Sequence, residues 1–157
     1  DALLPHSGGM KSPLKCLTQA RYGITWGPIG AAIACFTEVL EYSKNRILFK
    51  QPIASRQAVQ LKLADMALKI ELARNLLYKA CWLKDAGKPY SKESAMAKLY
   101  CSEIAKEVAD EAVQIHGGYG LMKDYEIERH YRDQRLLQIG EGTSEIQRLV
   151  ISRQIGC

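Results

Sequence analysis

Apolar residues recur along most of this chain at helical spacing. The most regular run is Val59, Leu63, Met66, Ile70, Ala73, Leu77 and Ala80, with steps alternating between 4 and 3. That spacing keeps every member on one side of a helix and forms a seam suited to near-parallel or antiparallel packing on neighbouring helices. It predicts a long helix starting near Ser55, stopped by Gly87 and kept from resuming by Pro89. Upstream, Ile29, Ile33, Phe36 and Leu40, spaced 4, 3 and 4, predict one buried stripe. The helix carrying it should run from Pro13 to about Asn45, after an irregular lead-in over residues 1–11. Ser12 reads as its N-cap and Pro13 as its first residue, and Pro28 predicts a kink.

Phe49 to Pro52 reads as a connection. Ser91 reads as the cap of another long helix ending near His116, with Met96, Leu99, Tyr100, Ile104, Val108 and Ile115 among its apolar positions. Gly117-Gly118-Tyr119-Gly120 stops it. A shorter helix after Asp124 carries Tyr125, Ile127, Tyr131 and Leu136. The turn Gly140-Glu141-Gly142-Thr143 then leads into a final helix with Ile146, Leu149, Val150 and Ile151. No alternating run bounded by turn residues reads as a strand. The expected fold class is therefore all-α: one domain over residues 1–157, a four-helix-bundle-like array of long up-and-down helices.

Composition adds boundaries to this picture. At 47% hydrophobic and 25% charged over 157 residues, the chain can bury a sizeable core. A net charge of +5 is ordinary for a globular domain and gives no reason to expect nucleic-acid binding. The basic stretch Arg129 to Arg135 is interleaved with aromatics, yet Glu126, Glu128 and Asp133 make it read as a charged helix face. No apolar run is expected to span a membrane. The start lacks a signal-peptide pattern and a methionine, as expected of a piece of a longer polypeptide. Five cysteines without CxxC spacing (Cys16, Cys35, Cys81, Cys101, Cys157) read as reduced thiols of a cytoplasmic protein. None of His6, His116 and His130 has a glutamate three residues before it, which excludes the Glu-x-x-His pattern of di-metal bundles.

Three features can carry chemistry, and each has a plain structural alternative. Glycines 117, 118 and 120 admit a close ligand or simply end a helix, with His116 as a helix-end residue. Glu141, between two glycines, is a carboxylate ionised at neutral pH that can serve as a base, or a solvated loop residue. Arg46 either complements a helix C-terminus or holds a phosphate through paired hydrogen bonds.

Four segments, RILFKQP (46–52), LKLADM (61–66), EAVQIHGGYG (111–120) and QIGEGTSEIQR (138–148), stand in an order that resembles the acyl-CoA dehydrogenase family. The likeness runs over nearly the whole chain. It implies that the intact enzyme also has an N-terminal helical domain and a middle β-domain, both outside this chain. It further implies FAD as cofactor and conversion of an acyl-CoA thioester to the 2-enoyl-CoA. In that reading Glu141 removes the α-proton, the β-hydrogen leaves as hydride, and the Glu141 backbone amide helps bind the thioester carbonyl. Arg46 matches an arginine that contacts the flavin phosphates, generally across a subunit interface. Gln57, Gln114, Gly117 and Gly118 match further flavin contacts, continued by Thr143, Ser144 and Glu145. Arg21 and Gly142 match the substrate side.

The same resemblance implies a homodimer or homotetramer and an electron-transfer flavoprotein or similar acceptor. It also implies a location in the cytoplasm of a bacterium or the mitochondrial matrix of a eukaryote. Three positions depart from the pattern: Gly140 stands where an aromatic is common, Lys50 where glycine is usual, and Leu48 where a polar residue is usual. Leu17 to Gly27 (LTQARYGITWG) is similar to the glutaryl-CoA dehydrogenase subgroup, whereas EGTSEIQ is similar to short- and branched-chain enzymes. A short-chain or glutaryl-type substrate is the resulting expectation. The rival expectation is a helical oligomerisation or scaffold domain of the same fold without catalysis.

Overall fold

The computed structural model describes Pro5, His6 and residues 8–157. Residues 1–4 and 7 of the expected lead-in lie outside the described residues. Six α-helices follow: α1 (Lys11–Ile24), α2 (Trp26–Asn45), α3 (Gln57–Asp85), α4 (Ser91–His116), α5 (Ile127–Leu137) and α6 (Ser144–Ile155). The all-α expectation holds in class, with one small exception. Ile47–Leu48 (β1) and Gln51–Pro52 (β2) pair antiparallel as a hairpin, a strand pair too short for sequence alternation to reveal.

The expected first helix is two helices meeting at Thr25. Pro28 has no N–H to offer the Ile24 carbonyl, and its ring crowds that carbonyl. Thr25 Oγ1 donates back to the Arg21 carbonyl at 2.6 Å, a contact that also bends helices. The break therefore sits one turn before the proline. Neither expected cap is one. Met10 precedes α1, so Ser12 and Pro13 lie within its first turn, and Tyr90 precedes α4, making Ser91 its first helical residue.

The α3 seam is as expected: Leu63, Met66, Ile70, Ala73, Leu77 and Ala80 are buried, and Val59 packs on the core edge. Gly87, with φ +66, closes this helix; its N–H donates to the Lys84 carbonyl and that of Lys88 to the Leu83 carbonyl. This is the paired pattern of a Schellman cap. Antiparallel packing of α3 on α4 follows from their cross-links. Lys62 pairs with Glu111, Lys69 with Glu107 at 2.8 Å, and the Cys101 thiol meets the Ala73 carbonyl at 3.6 Å.

On α2 the core face is turned slightly from the expected stripe. Ile29, Ala32, Cys35 and Val39 are buried, whereas Ile33 is 39% exposed. On α4 the correction is larger. Ile104 and Val108 are buried as expected, but apart from Lys98 and His116 the rest of its buried surface is made of small residues, including Ala95, Ala97, Cys101, Ala105, Ala109 and Ala112. These let neighbours approach from several sides, and α4 packs against all five other helices. It is the central strut of the domain.

One expectation about hydropathy is corrected. Within Lys11–Asn45 an 18-residue stretch has a mean hydropathy of 1.3, enough by length and composition to cross a membrane. Here 33% of that stretch is buried within the domain, where the α2 stripe meets α3 and α4.

Candidate functional site

The expected site residues fall into two groups at opposite ends of α4. Lys98 marks one end and Gln114 the other, and sixteen residues of α-helix span about 24 Å.

The first group surrounds Glu141. Gly140, Glu141 and Gly142 link α5 to α6, and Glu141 takes a left-handed backbone, φ +57, followed by Gly142 at +100. L-residues avoid that region, so the conformation must be held from outside. Three buried side chains do so. Arg21 Nε donates to the Glu141 carbonyl at 3.1 Å, and Lys98 Nζ donates to the Gly142 carbonyl at 2.8 Å. Gln147 Nε2 reaches both, at 3.2 and 2.9 Å. A Cβ on Gly142 would lie 2.8 Å from Gln147 Nε2, so this glycine is needed for close approach as well as for its φ.

With both carbonyls pinned inward, the half-buried Glu141 side chain has no hydrogen-bond or ion-pair partner among the described residues. Its N–H likewise meets no acceptor among them. Arg21, matched by resemblance to the substrate side, is buried beneath the turn and supports its backbone. Thr143 is the N-cap of α6, its Oγ1 accepting from the Ile146 N–H at 3.4 Å. Its hydroxyl beside Glu145 holds that carboxyl below the usual range. Ser144 is buried in the same first turn.

The second group lines two adjoining clefts formed by the end of α2, the hairpin, the start of α3 and the end of α4. One, of about 660 Å³, is bordered by Tyr42, Arg46, His116, Gly117, Gly118, Tyr119 and Met122. The other, of about 510 Å³, is bordered by Phe49, Arg56, Val59, Lys62 and Gln114. Leu48, Ile53 and Ile115 belong to both. Gln57 is exposed at the first position of α3, beside rather than within the clefts.

Arg46 does not cap its helix with its guanidinium. Asn45 Nδ2 takes the Glu41 carbonyl at 2.9 Å, while the Arg46 guanidinium stands 5.2 Å over the Tyr119 ring with no carboxylate partner among the described residues. Gly117 (φ +62) and Gly118 present bare backbone to open space. His116 is buried, stacked on Tyr42 with ring centroids 4.0 Å apart. Its Nδ1 faces the Ala112 carbonyl at 2.9 Å and so must donate, while Nε2 is buried without a partner among the described residues.

Lys98, Gln147, Arg56 and Tyr119 were not singled out in sequence. A lysine set among small and apolar residues (Ala95, Met96, Ala97 and Leu99) was the one available signal for Lys98.

The family description "Acyl-CoA dehydrogenase, C-terminal domain" matches residues 7–156. The chain is 52% identical over 147 residues to the probable acyl-CoA dehydrogenase YngJ of Bacillus subtilis, covering 94% of this chain and 39% of that protein. It is 46% identical over 144 residues to the caffeyl-CoA reductase-Etf complex subunit CarC of Acetobacterium woodii, covering 92% and 38%. Among solved structures, butyryl-CoA dehydrogenase of Megasphaera elsdenii superposes with a TM-score of 0.92 at 42% identity, over 94% of this chain and 38% of that one. The chain thus spans about two-fifths of the length of these relatives. By the family match, the identities and the shared fold together, this chain belongs to the acyl-CoA dehydrogenase family and forms its C-terminal helical domain.

Proposed function

We propose that this domain serves a flavin-dependent acyl-CoA dehydrogenase in which Glu141 is the catalytic base. The observation that carries the reading is the Glu141 turn itself. A left-handed backbone held by Arg21, Lys98 and Gln147 leaves the Glu141 carboxylate and the Glu141 N–H without partners among the described residues. A carboxylate at neutral pH accepts the α-proton of a thioester. The Glu141 N–H donates to the thioester oxygen, where negative charge develops as that proton leaves. Two functions on one residue keep base and oxyanion donor in fixed register.

The clefts at the far end of α4 suit a flavin dinucleotide in chemical terms. They are largely apolar, carry guanidinium groups at Arg46 and Arg56 that have no carboxylate partner among the described residues, and expose bare backbone at Gly117 and Gly118. Arg46 would hold phosphate, with Gln114 and Gln57 at the margin. When bound, FAD supplies the acceptor for the β-hydrogen as hydride. The length of α4 separates these clefts from Glu141, which supports a homodimer or a tetramer of dimers in which the Arg46 cleft serves the neighbouring subunit's flavin. A short-chain acyl-CoA is the favoured substrate, in keeping with the butyryl-CoA dehydrogenase neighbour. An electron-transfer flavoprotein is the favoured acceptor, in keeping with a relative that is a subunit of an Etf complex. The bacterial cytoplasm or the mitochondrial matrix is the corresponding location.

Glu141→Gln in the full-length protein tests the reading. The amide keeps the side chain's size but cannot take the proton. Flavin should stay bound while its single-turnover reduction by acyl-CoA slows by roughly 10²–10⁴-fold. Reduction at the wild-type rate would move the base elsewhere and return Glu141 to a loop carboxylate.

A further inference from the structure

Lys98 is the largest side chain buried almost completely, at 1% exposure. Every other fully buried position on α4 from Ala95 to Ala112 is Ala, Ser, Cys, Ile or Val, each of which packs without bringing a charge into the interior. An ammonium in such a place is disfavoured unless it makes a contact an apolar residue cannot. Burial and the nearby Arg21 cation both push the Lys98 pKa down. Neither Lys98 nor Arg21 has an ion-pair partner among the described residues. What the Lys98 amine does have is the Gly142 carbonyl, at 2.8 Å.

We infer that Lys98 is a positioning residue for the base: its amine, tethered to the central helix, pins the Gly142 carbonyl and so locks the left-handed Glu141–Gly142 turn. This rests on the reading of Glu141 as the base. Gln147 reaches the same carbonyl from within α6, an element that moves with the turn. Lys98 ties the turn to α4, the strut against which all the other helices pack. Without it the Glu141 backbone can relax toward an ordinary conformation, taking both the carboxylate and the N–H out of register.

Lys98→Met in the full-length flavoenzyme tests this, since methionine fills similar space without a donor. Amide hydrogen exchange across residues 139–146 should quicken about ten-fold on loss of this contact, with mid-α4 protection unchanged. Flavin reduction by acyl-CoA should slow by about 10²-fold with flavin content and substrate Kd held. The isotope effect with α-deuterated substrate should rise as proton transfer becomes limiting. Unchanged exchange in the turn overturns the inference, as does faster exchange with a normal reduction rate. If the methionine variant does not fold, Lys98→Gln, too short to span the gap, is read by the same outcomes. Failure of wild-type flavin to be reduced by any acyl-CoA would instead sink the proposed activity, while the exchange result would still decide whether Lys98 holds the turn.

Discussion

Phe49 and Lys50 form the two-residue tip of the hairpin, both with positive φ, +52 and +66. That is the geometry of a type I′ turn, which favours asparagine or glycine and penalises bulky side chains. Glu141 shares the left-handed conformation but is clamped by three side chains, whereas Phe49 is almost wholly exposed. The strain at the tip is therefore removable. Lys50→Gly, which places at this positive φ a residue that adopts it without strain, should raise stability by about 1 kcal/mol. Urea unfolding would show this as a higher midpoint at unchanged slope; a lower midpoint would mean that the Lys50 side chain contributes a contact outweighing the strain.

At the scale of elements, the α3 seam separates positions of the same chemistry by their burial. Leu77 is 1% exposed on the core side, and Leu72, five residues earlier, is 49% exposed. Truncating a buried leucine loses its transfer free energy and leaves a cavity, so Leu77→Ala should cost about 2–5 kcal/mol. Leu72→Ala should lie within about 0.5 kcal/mol of wild type, as other surface changes do. Denaturant unfolding of residues 1–157 checks the pair. Equal losses at both positions would mean that Leu72 is covered by a second copy under the conditions used.

At the scale of the whole molecule, the domain carries much of a site's chemistry and little of its enclosure. The Glu141 turn and the Arg46 clefts lie at opposite ends of α4, and Leu121, Leu136, Ile139 and Ile155 are exposed on the domain surface. Expressed alone, residues 1–157 should give the circular dichroism of a helical bundle yet show no dye-linked oxidation of butyryl-CoA, even with FAD added. Turnover by this fragment would show that neither a second domain nor a pocket from elsewhere is required.

The sequence by itself determined what depends on local spacing and on chemically distinctive residues. The α3 seam, the stop at Gly87, the glycine-bounded Glu141 turn and the family pattern were all legible, because periodicity and turn residues act within a few positions. Less was legible where a residue's role depends on which side its neighbours approach. The hairpin pairs only two residues per strand, and the small buried residues of α4 gave no strong apolar stripe. The turn of the α2 core face away from Ile33 followed from how α2 docks on α3 and α4. Arg21 and Lys98 stand 120 and 44 residues from the carbonyls they hold. Only packing brings two buried cations beneath one turn, and that packing is what gives a loop glutamate a defined direction.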